Sequence, residues 1–119
     1  MQDFRKLEIW KLAHELTLKM YKMTVSFPDS EKYNLSSQIK RSASSIPANI
    51  AEGCGRKTNG ELERFLYIAM GSASELEYHL LLAKDLNIIS LEDHRELENE
   101  LIILRKKMNV FIQRVASKR

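Results

Sequence analysis

Apolar side chains recur at spacings of three and four along most of this chain, and turn-forming residues cut the pattern into four segments. That period is the mark of amphipathic helices. In the first segment, Glu8 to Phe27, one face carries Trp10, Ala13, Leu16, Thr17, Met20, Met23, Thr24 and Phe27, and Glu8, Lys11, Glu15, Lys19 and Lys22 hold the other. Pro28 stops it, and residues 28–34 (PDSEKYN) form the connection. The second stripe is Leu35, Ile39, Ala43, Ile46 and Ile50, with Asn34 or Ser36 as its cap and Gly53 and Gly55 bracketing its end.

Pro47 falls inside that second stripe. A proline in a helix interior removes one N–H and crowds the carbonyl four residues earlier, at about 3 kcal/mol. The stripe keeps phase from Ile46 to Ile50, so a helix bent near Ala43 to Pro47 is expected rather than one that stops. The freed Ala43 carbonyl then needs a donor, a hydroxyl such as Ser44 or Ser45, or water. Thr58-Asn59-Gly60-Glu61 reads as a capping box and opens a third helix to about Lys84. Its inward face is Leu62, Phe65, Leu66, Ala69, Ala73, Leu76, Leu80 and Ala83. Ser90 caps a fourth helix with Glu92 and Asp93 in its first turn, and His94, Leu97, Leu101, Leu104, Met108, Phe111 and Val115 line its core side.

Four helices with short links predict an all-α fold, an antiparallel up-down-up-down four-helix bundle in a single domain spanning 1–119. The third helix carries a second apolar row, Tyr67, Met70, Ser74, Tyr78 and Leu81. A monomeric bundle buries one stripe per helix. The extra row is therefore either a surface that meets another protein or the sign of a helix buried more deeply than its neighbours.

With 119 residues, 4 Gly, 2 Pro and 29% charged residues, composition agrees with a helical domain that needs no metal or disulfide staple. A single cysteine, Cys54, points to a reducing cytoplasm. The charged first residues do not resemble a signal peptide, and no run reaches the ~20 apolar residues of a membrane span. The net charge is +3 and the pI is near 9.0, so anionic partners are permitted. Lys40, Arg41, Arg56 and Lys57 stand against Glu52 alone between residues 34 and 57, and the tail after Leu104 carries Arg105, Lys106, Lys107, Arg114, Lys118 and Arg119 with no acid. Cations at a helix C-terminus complement its dipole, which accounts for the tail more readily than for the first group.

Candidate chemistry is sparse. Di-iron bundles need Glu-x-x-His pairs, and Lys11, Leu76 and Leu91 stand three before His14, His79 and His94. No Arg lies within seven residues upstream of a histidine, as some helical RNases require. His94 reads as a histidine at the core's edge. No Cys/His spacing fits zinc, and Gly53-Cys54-Gly55 is too short to cradle phosphate. Arg56 and Lys57 beside Cys54 favour a lowered thiol pKa, but one cysteine without a base is weak ground for a nucleophile. No catalytic residue, metal or cofactor is expected.

FRKLEIWKLAHEL, SSQIKRSASSIPANIAEGCGR and RFLYIAMGSASELEYHLLLAKDL together resemble the bacterial four-helix-bundle proteins of the 23S rRNA intervening-sequence family. SIPANIAEG, Ser45 to Gly53, is the most specific match, and Cys54 departs from the aromatic often found there. The resemblance covers nearly the whole chain. It implies a left-handed up-down bundle that assembles into a ring, a homopentamer, in a family with no established catalytic activity. A related group serves as accessory subunits to reverse transcriptases, with basic ring surfaces that engage nucleic acid and polymerase. Two functions compete on this basis. One is a non-enzymatic ring that binds RNA or DNA through Lys40, Arg41, Arg56, Lys57 and Arg64 as phosphate contacts, without aromatics interleaved to stack bases. The other is an adaptor that docks another polypeptide. In either, Tyr67, Met70, Tyr78 and Leu81 are expected at the subunit interface.

Overall fold

The structure, a computed structural model, describes residues 2–31 and 34–119. Four helices carry the fold: α1 Glu8–Thr24, α2 Leu35–Cys54, α3 Asn59–Asp85 and α4 Leu91–Ser117, with 3-10 turns at Phe4–Lys6 and Asp29–Glu31. Among the described residues there is no strand. The bundle measures 45 × 23 × 20 Å.

The ends of the helices follow the local chemistry. Thr58 Oγ1 accepts from the Glu61 N–H at 3.1 Å and Ser90 Oγ from the Asp93 N–H at 3.0 Å, so both expected hydroxyl caps are in place. At the start of α2 neither expected cap operates. Asn34 makes no side-chain capping bond, and the Ser36 hydroxyl is buried without a partner. Residues 32 and 33 of the expected PDSEKYN connection lie outside the described residues. The turn after α3 is tighter than the sequence conveys. The Ile88 N–H reaches the Ala83 carbonyl and the Asn87 N–H the Lys84 carbonyl, each at 2.9 Å, while Asn87 adopts φ 61°. That is a Schellman motif with asparagine in the left-handed position that glycine usually takes.

Contacts across the bundle give each helix its direction. Thr17 of α1 meets Ala43 of α2, and Gln2, ahead of α1, meets Cys54 at the far end of α2. Ser45 of α2 meets Ser72 of α3, and Gly53 lies against Leu62 and Phe65. Glu77 and Glu63 of α3 pair with Arg105 of α4 and with Arg119 just beyond its end. Glu8 and Lys19 of α1 pair with Lys107 and Glu100 of α4. In every pair the numbers rise on one helix as they fall on the other, which is antiparallel packing. The α2–α3 pair is the most closely packed and the α1–α4 pair the sparsest.

The core is continuous from Ile9 to Val115. The expected faces of α2 and α3 are buried throughout. Two phases shift. On α1 the buried row is Ile9, Ala13, Leu16, Thr17, Met20 and Thr24, so Ile9 takes the place expected for Trp10. Trp10 instead half-covers the end of the bundle, edge-on to Phe4 and stacked on His14. On α4 Ile112 is buried and Phe111 only half-buried, the reverse of the expected order. The first helix also stops at Thr24, three residues short of the Phe27 end that Pro28 was expected to set.

Helix α2 runs through Pro47 without interruption. The Ala43 carbonyl that proline deprives of its N–H is met neither by Ser44 nor by Ser45. Ser44 Oγ turns back to the Arg41 carbonyl, and Ser45 Oγ is engaged by Asn49 and Ser72. The donor is Thr17 Oγ1 of α1, 3.1 Å away and 8% exposed. No hydroxyl of α2 reaches that carbonyl, and the neighbouring helix supplies the one that does.

Gly53 also differs from its expected part. It lies within α2 with no left-handed φ, and Gly55 ends the helix at φ −84°. A Cβ at residue 53 would stand 2.9 Å from both Leu62 Cδ1 and Phe65 Cβ, so close helix approach and not helix termination calls for glycine there.

Candidate nucleic-acid interface

Antiparallel packing gathers the starts of α1 and α3 and the ends of α2 and α4 at one end of the bundle. Residues 2–16, 46–72 and 104–119 make up that half, and they hold twelve of the nineteen Lys and Arg but six of the sixteen Asp and Glu. The opposite half is acidic, chiefly through the first part of α4 with Glu92, Asp93, Glu96, Glu98 and Glu100. The protein is thus electrically polarised along its 45 Å axis.

The α2–α3 turn forms the corner of the basic end. Because Gly53 lets α2 close onto Leu62 and Phe65, Arg56 is drawn over the Phe65 ring, with its guanidinium carbon 4.8 Å from the centroid. Arg64, one turn into α3, sits 5.5 Å from the same ring. Phe65 is buried, so it seats the two guanidinium groups but offers no face to a base. Arg56 keeps a long contact of 3.9 Å with the exposed Glu52. Lys57 is exposed and makes no ion pair among the described residues.

The same corner receives cations that sequence reasoning assigned elsewhere or passed over. Asn59 Nδ2 donates to the Lys118 carbonyl at 3.4 Å, and Arg119 pairs with Glu63, which brings the end of α4 beside the start of α3. The Gln2 N–H donates to the Cys54 carbonyl at 3.2 Å, and this holds the N-terminal segment with Arg5 and Lys6 at the same end. The signal was present in the sequence. An up-down topology places these termini together, and the tail's cations needed only to be read with that topology.

Lys40 and Arg41 do not join the corner. They stand about 22 Å from Arg56 along the α2 axis at 1.5 Å per residue. Lys40 is half-buried with its ammonium 5.5 Å from the Tyr21 ring centroid, and Arg41 points to solvent. The five residues expected to act as one patch are therefore a triad, Arg56, Lys57 and Arg64, and a separate pair. The physical reason is the length of α2, which carries its two basic pairs to different ends.

On α3 the second apolar row divides. Tyr67 and Tyr78 are each 57% exposed and Leu81 is 39% exposed, but Met70 is half-buried and packs against the core. Exposed apolar side chains also occur on α1 (Leu18, Tyr21), just after it (Val25) and on α4 (Ile103, Val110).

Cys54 is 2% exposed, and burial pushes its thiol above the ordinary range despite the nearby Arg56 and Lys57. A pKa lowered by those cations, as the sequence favours, does not arise: Arg56 lies over the Phe65 ring, Lys57 is exposed, and the loss of water around the buried thiol dominates. His94 is buried at the core's edge with Nε2 3.9 Å from Glu98. Among the described residues no cluster of His, Cys, Asp and Glu is arranged to hold a metal ion. Among the described residues no helix is long and apolar enough to cross a membrane.

A model of the 23S rRNA-intervening sequence protein family matches residues 5–110. Among solved structures the chain is similar to a protein of unknown function from the S23 ribosomal protein family of Bacteroides thetaiotaomicron VPI-5482. The TM-score is 0.79 at 27% identity, over 87% of this chain and 97% of that one. No curated protein matches the chain.

Proposed function

This chain belongs to the 23S rRNA-intervening sequence protein family, and on that premise we propose that it is a non-enzymatic, ring-forming cytoplasmic protein that binds the phosphate backbone of RNA or DNA through its basic end. The observation that carries the reading is the charge segregation. Twelve cations share one half of the molecule with six acids, and the Arg56–Lys57–Arg64 corner lies there. Guanidinium groups seated on a buried ring keep a fixed position, and phosphate contacts of this kind orient a nucleic acid without reading its sequence. Lys40 and Arg41 supply a second contact point, spaced for a polyanion that runs along the bundle. The ring is a homopentamer closed through Tyr67, Tyr78 and Leu81, with Met70 beneath them.

Salt titration tests it. Binding to a labelled RNA or DNA duplex should weaken with ionic strength at a log–log slope of about 0.9 per neutralised phosphate. Changing Arg56, Lys57 and Arg64 to Gln should flatten that slope and leave the helical circular dichroism unchanged. An unchanged slope means that the corner is only a solvated surface. The exposed Leu18, Tyr21, Val25, Ile103 and Val110 favour a second reading, an adaptor that docks another polypeptide and touches nucleic acid incidentally. A protein partner retained through high-salt purification, with RNA lost, would select that reading.

A further inference from the structure

The sparse α1–α4 seam opens, toward the basic end, into a cleft of about 420 Å³. Leu7, Ile9, Val110 and Phe111 give it an apolar lining, and Lys6, Lys106, Lys107 and Arg114 stand around it with Glu8 as the one acid. Lys107 is accounted for by its 3.2 Å pair with Glu8. Arg114 lies in the last turn of α4, where a cation suits the helix dipole. Lys6 and Lys106 have neither explanation. Among the described residues neither makes an ion pair or a side-chain hydrogen bond, and Lys106 is three turns from the end of α4, beyond the reach of the dipole. Val110 is 51% exposed at the centre of this ring of charge, an apolar side chain without cover.

We propose that this cleft docks an acidic peptide segment, contributed by a protein partner, that carries one or two bulky apolar side chains. Its apolar residues sit on Leu7, Val110 and Phe111, and its carboxylates meet Lys6, Lys106 and Arg114. The volume falls within the ~300–1,000 Å³ of ordinary binding clefts, enough for two such side chains. Charge complementarity calls for an anion, and the lining decides its class. Three of the four lining residues are aliphatic, so they give bases little on which to stack, whereas aliphatic or aromatic peptide side chains remove the same surface from water. A nucleic acid held by the rim alone would leave Val110 wet. The cleft shares no residue with the Arg56–Lys57–Arg64 corner, so this inference stands apart from phosphate binding.

Fluorescence anisotropy with two labelled twelve-residue probes tests it, one alternating Asp and Glu with Leu and Phe, the other with Ser at every apolar position. The apolar probe should bind at least tenfold more tightly than the Ser probe. Val110→Asp should weaken it at least tenfold and Lys106→Glu severalfold, with helical circular dichroism unchanged and duplex binding through Arg56, Lys57 and Arg64 retained. Equal affinity for the two probes, or indifference to Val110→Asp, overturns the proposal in favour of plain charge attraction. If Val110→Asp instead breaks up a self-assembled species and leaves the probe unaffected, the cleft is a contact between copies and the proposal fails. If the Arg56/Lys57/Arg64→Gln variant loses duplex binding but still takes the apolar probe, the two sites are independent.

Discussion

The hydrogen bond that ties α1 to the proline of α2 yields a sharp energetic prediction. Thr17→Val keeps the shape of the side chain and removes its hydroxyl. Its single proton is shared between two acceptors, the Ala13 carbonyl at 2.8 Å and the Ala43 carbonyl at 3.1 Å. They are unequal. Within α1 the Ala13 carbonyl already accepts the Thr17 N–H, but the Ala43 carbonyl has no helical donor because residue 47 is proline. Ala43 is 1% exposed, so its carbonyl gains little from water. A buried acceptor left without a partner costs about 1–3 kcal/mol, and Thr and Val differ little in helix propensity. Thr17→Val should therefore destabilise the fold by about 2 kcal/mol. In a Pro47→Ala background the new N–H at residue 47 satisfies Ala43, and the same change should cost less than about 0.5 kcal/mol. The void left by the proline ring is common to both Pro47→Ala variants and cancels in the cycle. Urea unfolding followed by circular dichroism, at two protein concentrations to expose any share due to assembly, measures the coupling. A coupling energy within about 0.3 kcal/mol of zero refutes the assignment of Thr17 as the donor that makes Pro47 tolerable.

Three further outcomes follow from other parts of the structure. Gly53→Ala should lower the melting temperature although alanine is the better helix former, because overpacking against Phe65 Cβ costs about 1–3 kcal/mol and the propensity gain is about 1; a stabilised variant contradicts the close approach. Cys54 should resist iodoacetamide in the native protein and react at the ordinary rate in urea. Its raised thiol pKa means that the native state holds the proton where the unfolded chain releases it, so stability should fall as pH rises above about 8.5, and less so in Cys54→Ala. Light scattering should give an assembly larger than the 13.8 kDa chain, and Leu81→Glu should reduce it to monomer with the helices intact; wild-type monomer at micromolar concentration removes the ring.

The helices were legible because each carries a long, phased stripe with a hydroxyl cap or a breaker at its edge. Thr58 and Ser90 act as the sequence indicates. What was not legible depends on neighbours. Ile9 and Trp10 are adjacent apolar residues, and only the direction from which α2 arrives decides that Ile9 goes inward and Trp10 lies across the end. Ile112 and Phe111 pose the same ambiguity on α4. The donor for Ala43 comes from another helix twenty-six residues away, beyond any local pattern. Gly53 looked like punctuation because a glycine near a helix end usually is, and its close contact with Leu62 and Phe65 is a tertiary fact. The site was legible as residue types and not as a surface. Arg56 and Lys57 belong with Arg64, Lys118 and Arg119 because α3 and α4 bring them there, whereas Lys40 and Arg41, closer in sequence than Lys118 and Arg119, are carried away by α2.

The uneven closure of the bundle bears on how it moves. The Ser45–Ser72 contact and the Gly53 approach lock α2 to α3, while α1 and α4 meet over a thin apolar strip flanked by the Lys19–Glu100 and Lys107–Glu8 ion pairs, half in solvent. That seam is the least extensively packed contact between neighbouring helices. Amide hydrogens of the seam-facing turns of α1 and α4 should then exchange through a local opening well below the global unfolding free energy, while those of α2 and α3 wait for the whole domain. A molecule lodged between Leu7 and Val110 would bridge the two loose helices and slow that opening by mass action, so occupancy would be read in the exchange rates of residues it never touches.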